Sequence, residues 1–353
     1  MGSVQEDATS KNFVLTAQAL HKALPRMGMA TRAIHVDNFS SPHRAIAPPC
    51  KSQSTIDTTE TLNNAGVVTY SSGLASFHAI MTLLPPKRIF IGEGYHGVHR
   101  SIKLQHRVTG VEKLTLGDLD QLGRVDLLHI ETPLNPTGEA RNLEYYVAKP
   151  DPLQYGVDTV MHSDTKHIEG HSDMLCGVLA VHQDRKEWVE TLYQDRRVMG
   201  SIVGSFEGWL DIRSPRTLHL RVIKQSQTAE KLVSWLHEEV QKPGSLVGKM
   251  IDKVQHASLQ EADLKNGWLR KQMPGGIATS LGGVESLMEW RAMSDEGRDP
   301  RLIRVSCGVE DVEDMKADIL QAFESLLRDF HKQETSIAYR IDEIDVLDAE
   351  IEE

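Results

Sequence analysis

A stretch near the middle of the chain carries most of its chemically useful side chains, and it reads Val160-Met161-His162-Ser163-Asp164-Thr165-Lys166-His167-Ile168-Glu169-Gly170-His171-Ser172-Asp173. Its apolar and β-branched lead-in predicts the end of a buried strand at Met161. Such a strand delivers Ser163, Thr165 and Lys166 to a sheet edge, where Gly170 then allows a sharp turn. A lysine held among small hydroxyl groups loses its proton more easily than a surface lysine does, and Schiff-base chemistry with a carbonyl cofactor requires this. The alternative is an ordinary exposed lysine beside a loop.

Composition and charge describe a globular protein without a nucleic-acid-binding surface. The 353 residues are 40% hydrophobic and 25% charged, which allows two domains or one large α/β unit. The formal net charge is −11, but residues 342–353 hold seven acids and no base, so the rest of the chain carries only −4. A nearly neutral body without a basic patch argues against nucleic acid as a partner.

The cysteines and the hydropathy pattern indicate the compartment. Cys50, Cys176 and Cys307 are far apart and lack a Cys-x-x-Cys spacing, which is typical of buried thiols in a reducing compartment. Residues 1–25 contain no secretory signal, and no apolar run approaches the roughly 20 residues that a membrane span needs. We therefore expect a cytoplasmic protein that does not bind membranes.

The first part of the chain alternates strand and helix patterns, which predicts an α/β fold with a parallel sheet. Strands are predicted at 67–70, 88–91 and 127–130, and a helix at 74–84. The turn Ser71-Ser72-Gly73 joins the first strand to this helix. It gathers backbone N–H groups at a helix N-terminus, an arrangement that suits a phosphate group.

Six ordered motifs together carry a family resemblance, and they are Ser72-Gly73-Leu74, Gly94-Tyr95-His96-Gly97, Glu131-Thr132-Pro133-Leu134-Asn135-Pro136, Ser163–Asp173, Thr279–Leu287 and Leu302–Asp311. The chain resembles the Cys/Met-metabolism family of pyridoxal-phosphate (PLP) enzymes, to which cystathionine γ-synthase belongs, and it looks most like a fungal branch. The resemblance covers residues 44–330. It implies the aspartate-aminotransferase-like fold (fold type I), with a mostly parallel sheet in a large domain and a smaller C-terminal α/β domain.

The resemblance implies PLP as cofactor and a set of residues that bind it. Lys166 would form the Schiff base and later shuttle protons between substrate carbons. The residues implied for the cofactor phosphate are Ser72, Gly73, Leu74, Ser163 and Thr165. Tyr95 would stack on the pyridine ring and act as an acid/base near the leaving group, and Asn135 would reach the phenolic oxygen.

For the substrate, the resemblance implies that Arg304 binds the α-carboxylate bidentately and that Ser280 lines the pocket. Each implied role has a simpler alternative. Tyr95 can be a packed loop residue, Asn135 a turn former and Arg304 a surface ion pair. His167 and His171 have a spacing that suits a metal only on a helix, and Gly170 argues against a helix, so no metal site is predicted.

Two elements of the family pattern are missing from the sequence. A Tyr-x-Arg element that precedes the Ser-Gly turn in the family has no counterpart between Pro49 and Tyr70. The family also places a strand with an Asp, which pairs with the pyridine nitrogen, after the Asn-Pro turn. Only ten residues, Glu144–Leu153, remain for that strand and its helix. One central segment therefore looks deleted, and Asp158 or Asp164 is left as a possible substitute.

We predict an N-terminal arm at 1–45, a PLP-binding large domain at 46–225, a C-terminal small domain at 226–335 and an acidic tail at 336–353. The expected reaction is γ-replacement on an O-acylhomoserine by cysteine or another nucleophile, in a homodimer or homotetramer. Two alternatives remain open. One is a γ-lyase that catalyses elimination, and the other is a truncated, catalytically impaired paralogue that acts only as a folded partner.

Overall fold

The structure is a computed structural model that describes residues 66–146, 157–269, 281–293, 295, 297 and 299–329. These residues form two compact units, each drawn from separate parts of the chain. The first unit contains the described residues of Met1–Lys87, Ser101–Val111 and Leu143–His219. The second contains those of Arg88–Arg100, Glu112–Asn142 and Leu220–Glu353. The predicted domain boundaries stay a prediction.

The first unit is built on a three-stranded sheet in the order β1-β6-β5. Its strands are β1 (Gly66–Tyr70), β5 (Thr159–Ser163) and β6 (Gly177–Val181). The central strand β6 is buried at every position, as a run of small and β-branched apolar residues predicts for a strand covered on both faces. It runs antiparallel to both neighbours, so β1 and β5 are parallel to each other.

The register of this sheet brings the carboxyl ends of β1 and β5 to the same place. Tyr70 and Ser163, the last residues of the two strands, both pair with Gly177. A Cβ on Gly177 would lie 2.3 Å from the carbonyl oxygen of Ser72, so this position requires glycine. The helices of this unit are α1 (Gly73–Leu83), the short α3 (Leu143–Tyr146), α4 (Lys186–Val198) and α5 (Ser205–Arg213), and α2 (His96–Thr109) begins in the second unit and ends in the first.

The second unit contains a parallel sheet in the order β3-β2-β4 and an antiparallel pair, β7-β8. The strands are β2 (Arg88–Ile91), β3 (Glu112–Leu114), β4 (Leu127–His129), β7 (Leu287–Trp290) and β8 (Ile303–Ser306). The helices are α6 (Leu218–Gln241), which begins in the first unit, α7 (Leu246–Met250), α8 (Glu261–Lys265) and a closing helix, α9, at 312–329. Leu232, Leu236, Val247, Val312 and Ile319 form the core where α6, α7 and α9 pack together.

The predicted α/β class is confirmed, and most predicted elements lie within a few residues of their observed bounds. Strand β5 continues to Ser163, two residues beyond the predicted end, because the ladder with β6 extends to Gly177. The parallel arrangement holds for β2, β3 and β4, whereas β6 is antiparallel to its neighbours. None of the helices in the described part of the chain has both the length and the apolar character that a membrane span requires.

Candidate active site

The start of α1 forms a cradle that fits a phosphate. Ser72 caps the helix, and its Oγ accepts a hydrogen bond from the Ala75 N–H at 3.1 Å. The first N–H groups of a helix have no acceptor within it, so those of Gly73 and Leu74 are available to an anion. A Cβ on Gly73 would lie 3.1 Å from Cβ of Ser163, so a side chain at this position would fill the space beside the Ser163 hydroxyl. The phosphate end of PLP therefore fits the residues present.

Lys166 lies on a tight turn that follows β5 directly. Its N–H donates to the carbonyl oxygen of Ser163 at 3.0 Å, and its own carbonyl oxygen accepts from the Gly170 N–H at 2.8 Å. Gly170 has a φ of 76°, which explains why glycine occurs there. The buried Glu169 carboxylate accepts hydrogen bonds from the N–H groups of His171 and Ser172, each at 2.9 Å. These contacts fix the backbone that carries Lys166.

The hydroxyl of Thr165, predicted to bind phosphate, is bonded to Cys176 in this structure. It donates to the Cys176 carbonyl oxygen at 3.3 Å and accepts from the Cys176 N–H at 3.1 Å. Both bonds tie the lysine turn to the residue just before β6. Phosphate binding by the Thr165 hydroxyl requires at least its donated bond to be given up.

Two buried aspartates face each other behind this turn. Asp164 and Asp211 are both fully buried, and their carboxyl groups are hydrogen-bonded to each other. Burial raises the pKa of Asp211 to about 7. Their oxygens and Sγ of Cys176 lie within 4.8 Å of one another, the one group of such atoms in the described residues that is close enough for a metal ion. A proton shared between the two carboxyl groups accounts for their closeness without a metal ion.

Asp158 and Asp164 are the two acids that could substitute for the missing Asp, which in the family pairs with the pyridine nitrogen. Asp158 is half-exposed and forms an ion pair with Arg185 at 2.8 Å. Asp164 lies against Asp211 and Cys176. In this structure both carboxyls are therefore engaged with other residues of the first unit. Sequence reasoning missed Asp211, although an acid inside the apolar run Trp209-Leu210-Asp211-Ile212 is a signal of a buried carboxyl.

In the second unit, Glu131 connects two predicted site residues. Its carboxylate accepts hydrogen bonds from the Tyr95 N–H at 2.8 Å and the Asn135 N–H at 2.9 Å. Burial raises the pKa of this carboxyl. A Cβ on Gly94 would lie 2.6 Å from a Glu131 oxygen, which accounts for the glycine before Tyr95. The ring of Tyr95 is 37% exposed, which leaves it accessible in this unit. Glu131 was part of a quoted motif but had no predicted role.

Arg304 lies on β8 in the second unit, with only 9% of its surface exposed. Its Nη1 donates to Oδ1 of Asn135 at 3.2 Å, and its Nη2 forms an ion pair with Glu289 at 2.7 Å. Burial lowers the pKa of Arg304. The bond from Arg304 sets the orientation of the Asn135 amide and leaves the amide NH₂ group to donate elsewhere, as contact with a phenolic oxygen requires. Arg304 thus forms an ion pair, as the simpler alternative expects, but its own side chain is buried.

The described site residues thus form two groups. Ser72, Gly73, Leu74, Ser163, Thr165 and Lys166 come together in the first unit, and Tyr95, Asn135 and Arg304 belong to the second. Ser280 and the segment that lacks a Tyr-x-Arg element fall outside the described residues.

Comparison with known proteins places the chain in a family. The profile of the Cys/Met metabolism PLP-dependent enzymes matches residues 145–276. Cystathionine γ-lyase of Bacillus subtilis is 30% identical over 312 residues, which cover 73% of this chain and 82% of that protein. The chain belongs to the Cys/Met metabolism family of PLP-dependent enzymes. Its cofactor is therefore PLP, as predicted.

Further relatives support the fold and include more than one activity. Cystathionine γ-lyase of Saccharomyces cerevisiae is 29% identical over 385 residues, covering 83% of this chain and 96% of that protein. Cystathionine γ-synthase of Haemophilus influenzae is 28% identical over 300 residues, covering 73% and 80%. The crystal structure of metB from Corynebacterium glutamicum matches with a TM-score of 0.67 at 25% identity, covering 86% of this chain and 99% of that one. The fold is therefore that of fold type I, as predicted.

The alignment with the yeast enzyme also bears on the missing segment. It spans 385 residues, more than the 353 residues of the whole chain. The yeast enzyme therefore has residues without a counterpart here. The chain is therefore shorter than this relative, and the predicted loss of a central segment after the Asn-Pro turn stays a prediction.

Proposed function

We propose that this chain catalyses γ-replacement on an O-acylhomoserine, with cysteine or another nucleophile forming the new bond at Cγ. The observation that carries the proposal is the placement of Lys166, on a rigid turn that begins beside Ser163 and the Gly73 cradle. That placement would bring a Schiff-base lysine and a phosphate site to one sheet edge. The buried Arg304 supports an amino-acid substrate, because a guanidinium binds a carboxylate well.

When bound, PLP supplies an electron-withdrawing ring that makes protons near the substrate amino group labile. The N–H groups of Gly73 and Leu74 and the hydroxyls of Ser72 and Ser163 would hold the phosphate. Nζ of Lys166 would bind the cofactor carbonyl and then move protons between Cα and Cβ of the substrate.

The second unit would supply the remaining roles. The Tyr95 hydroxyl would give a proton to the departing γ-oxygen, and Glu131 would hold the Tyr95 backbone in place. Arg304 would fix the α-carboxylate, and the amide NH₂ of Asn135 would bind the phenolic oxygen. In replacement, the Cγ–O bond breaks, the acyl group leaves as a carboxylic acid and the cysteine sulfur forms the new bond to Cγ. In elimination, water instead releases a keto acid and ammonia.

The γ-lyase reaction is the second candidate, because relatives of similar identity include both synthases and lyases. A third candidate is a folded but poorly active paralogue. The short stretch Glu144–Leu153 favours it, because the loss of a central strand there would remove the acid that keeps the ring nitrogen protonated. Asp158 and Asp164 are engaged elsewhere, so we expect slower turnover than in the longer relatives.

A first experiment tests cofactor binding through the absorbance spectrum of the full chain with added PLP. We expect a visible band that is lost in Lys166→Ala, while both proteins remain folded by circular dichroism. A folded wild-type chain without the band would contradict the cofactor site and favour the inactive paralogue.

A second experiment separates replacement from elimination. Purified enzyme is given O-acetyl- or O-succinyl-homoserine with cysteine, and both the thioether product and the keto acid are measured. Replacement predicts the thioether as the main product. If the keto acid dominates at saturating cysteine, the chain is a lyase.

We also propose that the chain assembles as a homodimer or homotetramer in the cytoplasm, where its free cysteines would remain reduced. Sedimentation of the purified chain tests the assembly. A monomer at working concentration would contradict it.

A further inference from the structure

Two arginines of the second unit share a single carboxylate. Glu289 and Arg304 face each other directly across the β7-β8 ladder. Oε2 of Glu289 lies 2.7 Å from Nη2 of Arg304 and 2.8 Å from Nη1 of Arg291. Both guanidinium side chains are buried, with 8% and 2% exposed, whereas the Glu289 side chain is 33% exposed. One carboxylate oxygen therefore bridges two buried cations, and it belongs to the most exposed of the three side chains.

Arg291 has a second, stronger set of contacts. Its Nε and Nη2 both donate to Oδ2 of Asp295, the first at 3.1 Å and the second at 2.5 Å. Oδ1 of Asp295 lies 2.7 Å from Nδ1 of His96, the residue after Tyr95. Arg291 is therefore fixed from one side by Asp295 and keeps Nη1 for Glu289. It can hold Glu289 whether or not Arg304 takes part.

In the residues that the structure describes, the guanidinium of Arg304 has partners on fewer of its nitrogen atoms than that of Arg291. Nη1 reaches the Asn135 amide oxygen, Nη2 reaches Glu289, and Nε is buried without a hydrogen-bond partner among the described residues. A buried donor without a partner costs free energy until an acceptor arrives. A carboxylate ligand that bonds Nε and Nη2 together would satisfy both and would compete with Glu289 for Nη2.

We propose that Glu289 is the internal carboxylate that a ligand carboxylate displaces from Arg304, and that Arg291 retains Glu289 when this exchange occurs. The inference rests on the proposed role of Arg304 as the binding residue for the substrate carboxylate. Before binding, two guanidiniums share Glu289. After binding, Arg304 holds the ligand and Arg291 holds Glu289. Glu289 and Arg291 thus act as positioning residues that set the affinity for an amino-acid carboxylate.

The test compares two ligands that differ only in the carboxylate. L-homoserine and its decarboxylated counterpart, 3-aminopropan-1-ol, are titrated by calorimetry into the full chain saturated with PLP. The wild type should bind L-homoserine more tightly. Glu289→Gln removes the competing charge while keeping the shape, and should tighten L-homoserine binding about tenfold, since a like charge about 5 Å away repels a carboxylate appreciably even at an effective dielectric of about 20.

Arg291→Lys should act in the opposite direction. Lysine can still pair with Asp295 but loses the fork that holds Glu289, so Glu289 stays on Arg304 and L-homoserine binding weakens. Adding Glu289→Gln to this variant should restore the binding. None of the variants should change the affinity for 3-aminopropan-1-ol by more than about twofold, because that ligand does not use Arg304.

The outcomes separate this inference from the proposed function. If the wild type does not prefer L-homoserine, Arg304 does not bind the carboxylate and both ideas fail. If the preference exists but Glu289→Gln weakens L-homoserine binding or leaves it unchanged, only the exchange is overturned. If Glu289→Gln changes the affinity for both ligands equally, the exchange is also overturned, because such a change indicates a general structural role of Glu289. If Arg291→Lys does not fold, the Glu289→Gln result alone decides the question. Titrations of the cofactor-free chain show whether the preference for L-homoserine over 3-aminopropan-1-ol depends on PLP.

Discussion

The buried pair of Asp164 and Asp211 makes a definite prediction about stability and pH. Asp211 lies on α5 with no exposed surface, and its carboxyl is hydrogen-bonded to that of Asp164. Its pKa rises from 3.8 to about 7, mainly because burial disfavours the charged form. The substitution Asp211→Asn replaces this carboxyl by an amide that cannot ionise but can donate a hydrogen bond to Asp164.

The direction of the effect follows from proton linkage. Because the folded pKa is higher than the unfolded one, the folded state holds the proton more tightly. The stabilisation by this proton is complete below pH 3.8 and is lost as the pH rises through about 7. Leaving a buried polar group without its solvation costs about 1–3 kcal/mol, and an ionised carboxylate lies at the upper end of this range or above it. The wild type should therefore lose at least about 1 kcal/mol relative to Asp211→Asn between pH 4 and pH 8.

The assay is urea unfolding of both proteins, followed by tryptophan fluorescence at several pH values. The Asp211→Asn variant should have a higher urea midpoint than the wild type at pH 8, and the difference should shrink or reverse at pH 4. The control is Asp184→Asn in the same unit, where the aspartate side chain is 76% exposed, and its difference from the wild type should be small at every pH. A difference between Asp211→Asn and the wild type that does not change with pH would refute the raised pKa.

Three further substitutions test the packing around the site. Gly177→Ala should prevent the turn after β1 from closing, because the new Cβ would lie 2.3 Å from the Ser72 carbonyl oxygen, and a normal urea midpoint would contradict this. Each oxygen of the Glu131 carboxylate accepts a hydrogen bond from one backbone N–H group, and a glutamine side chain keeps only one oxygen. Glu131→Gln should therefore destabilise the second unit by about 1–3 kcal/mol and slow turnover in parallel. Unchanged stability and turnover would show that the carboxylate is dispensable. Arg196→Met should cost about 1.5–3 kcal/mol in urea unfolding, since its buried guanidinium donates to both the carbonyl and the hydroxyl oxygen of Thr69, and an effect below about 0.5 kcal/mol would contradict this.

Much of the local structure could be predicted because its causes are local. The turn Ser71-Ser72-Gly73 lies between a β-branched run and a helical run, and the structure has β1, the Ser72 cap and α1 there. Strands β2 and β4 follow in the same way from their apolar residues and from the glycines and prolines that flank them. The family resemblance also depends on short motifs, so it could be drawn before any contact was known.

The pairing of β6 could not be predicted in this way. Its sequence indicates a buried strand, but the same pattern fits a parallel or an antiparallel neighbour. Its direction depends on how the chain returns from Lys166 through Gly170 to Gly177. That return also places Cys176 against Thr165, whose hydroxyl is hydrogen-bonded to the Cys176 backbone.

By itself, the sequence determined the α/β class, the family, the cofactor and the residues at the ends of strands, because these depend on local pattern and on motif order. Only the tertiary structure decided which charged groups face each other. Asp164 meets Asp211 from a distant helix, and Arg304 shares Glu289 with Arg291 through the β7-β8 register. The physical reason is that the pKa and the partner of a buried charge depend on neighbours brought together by folding, and these are remote along the chain.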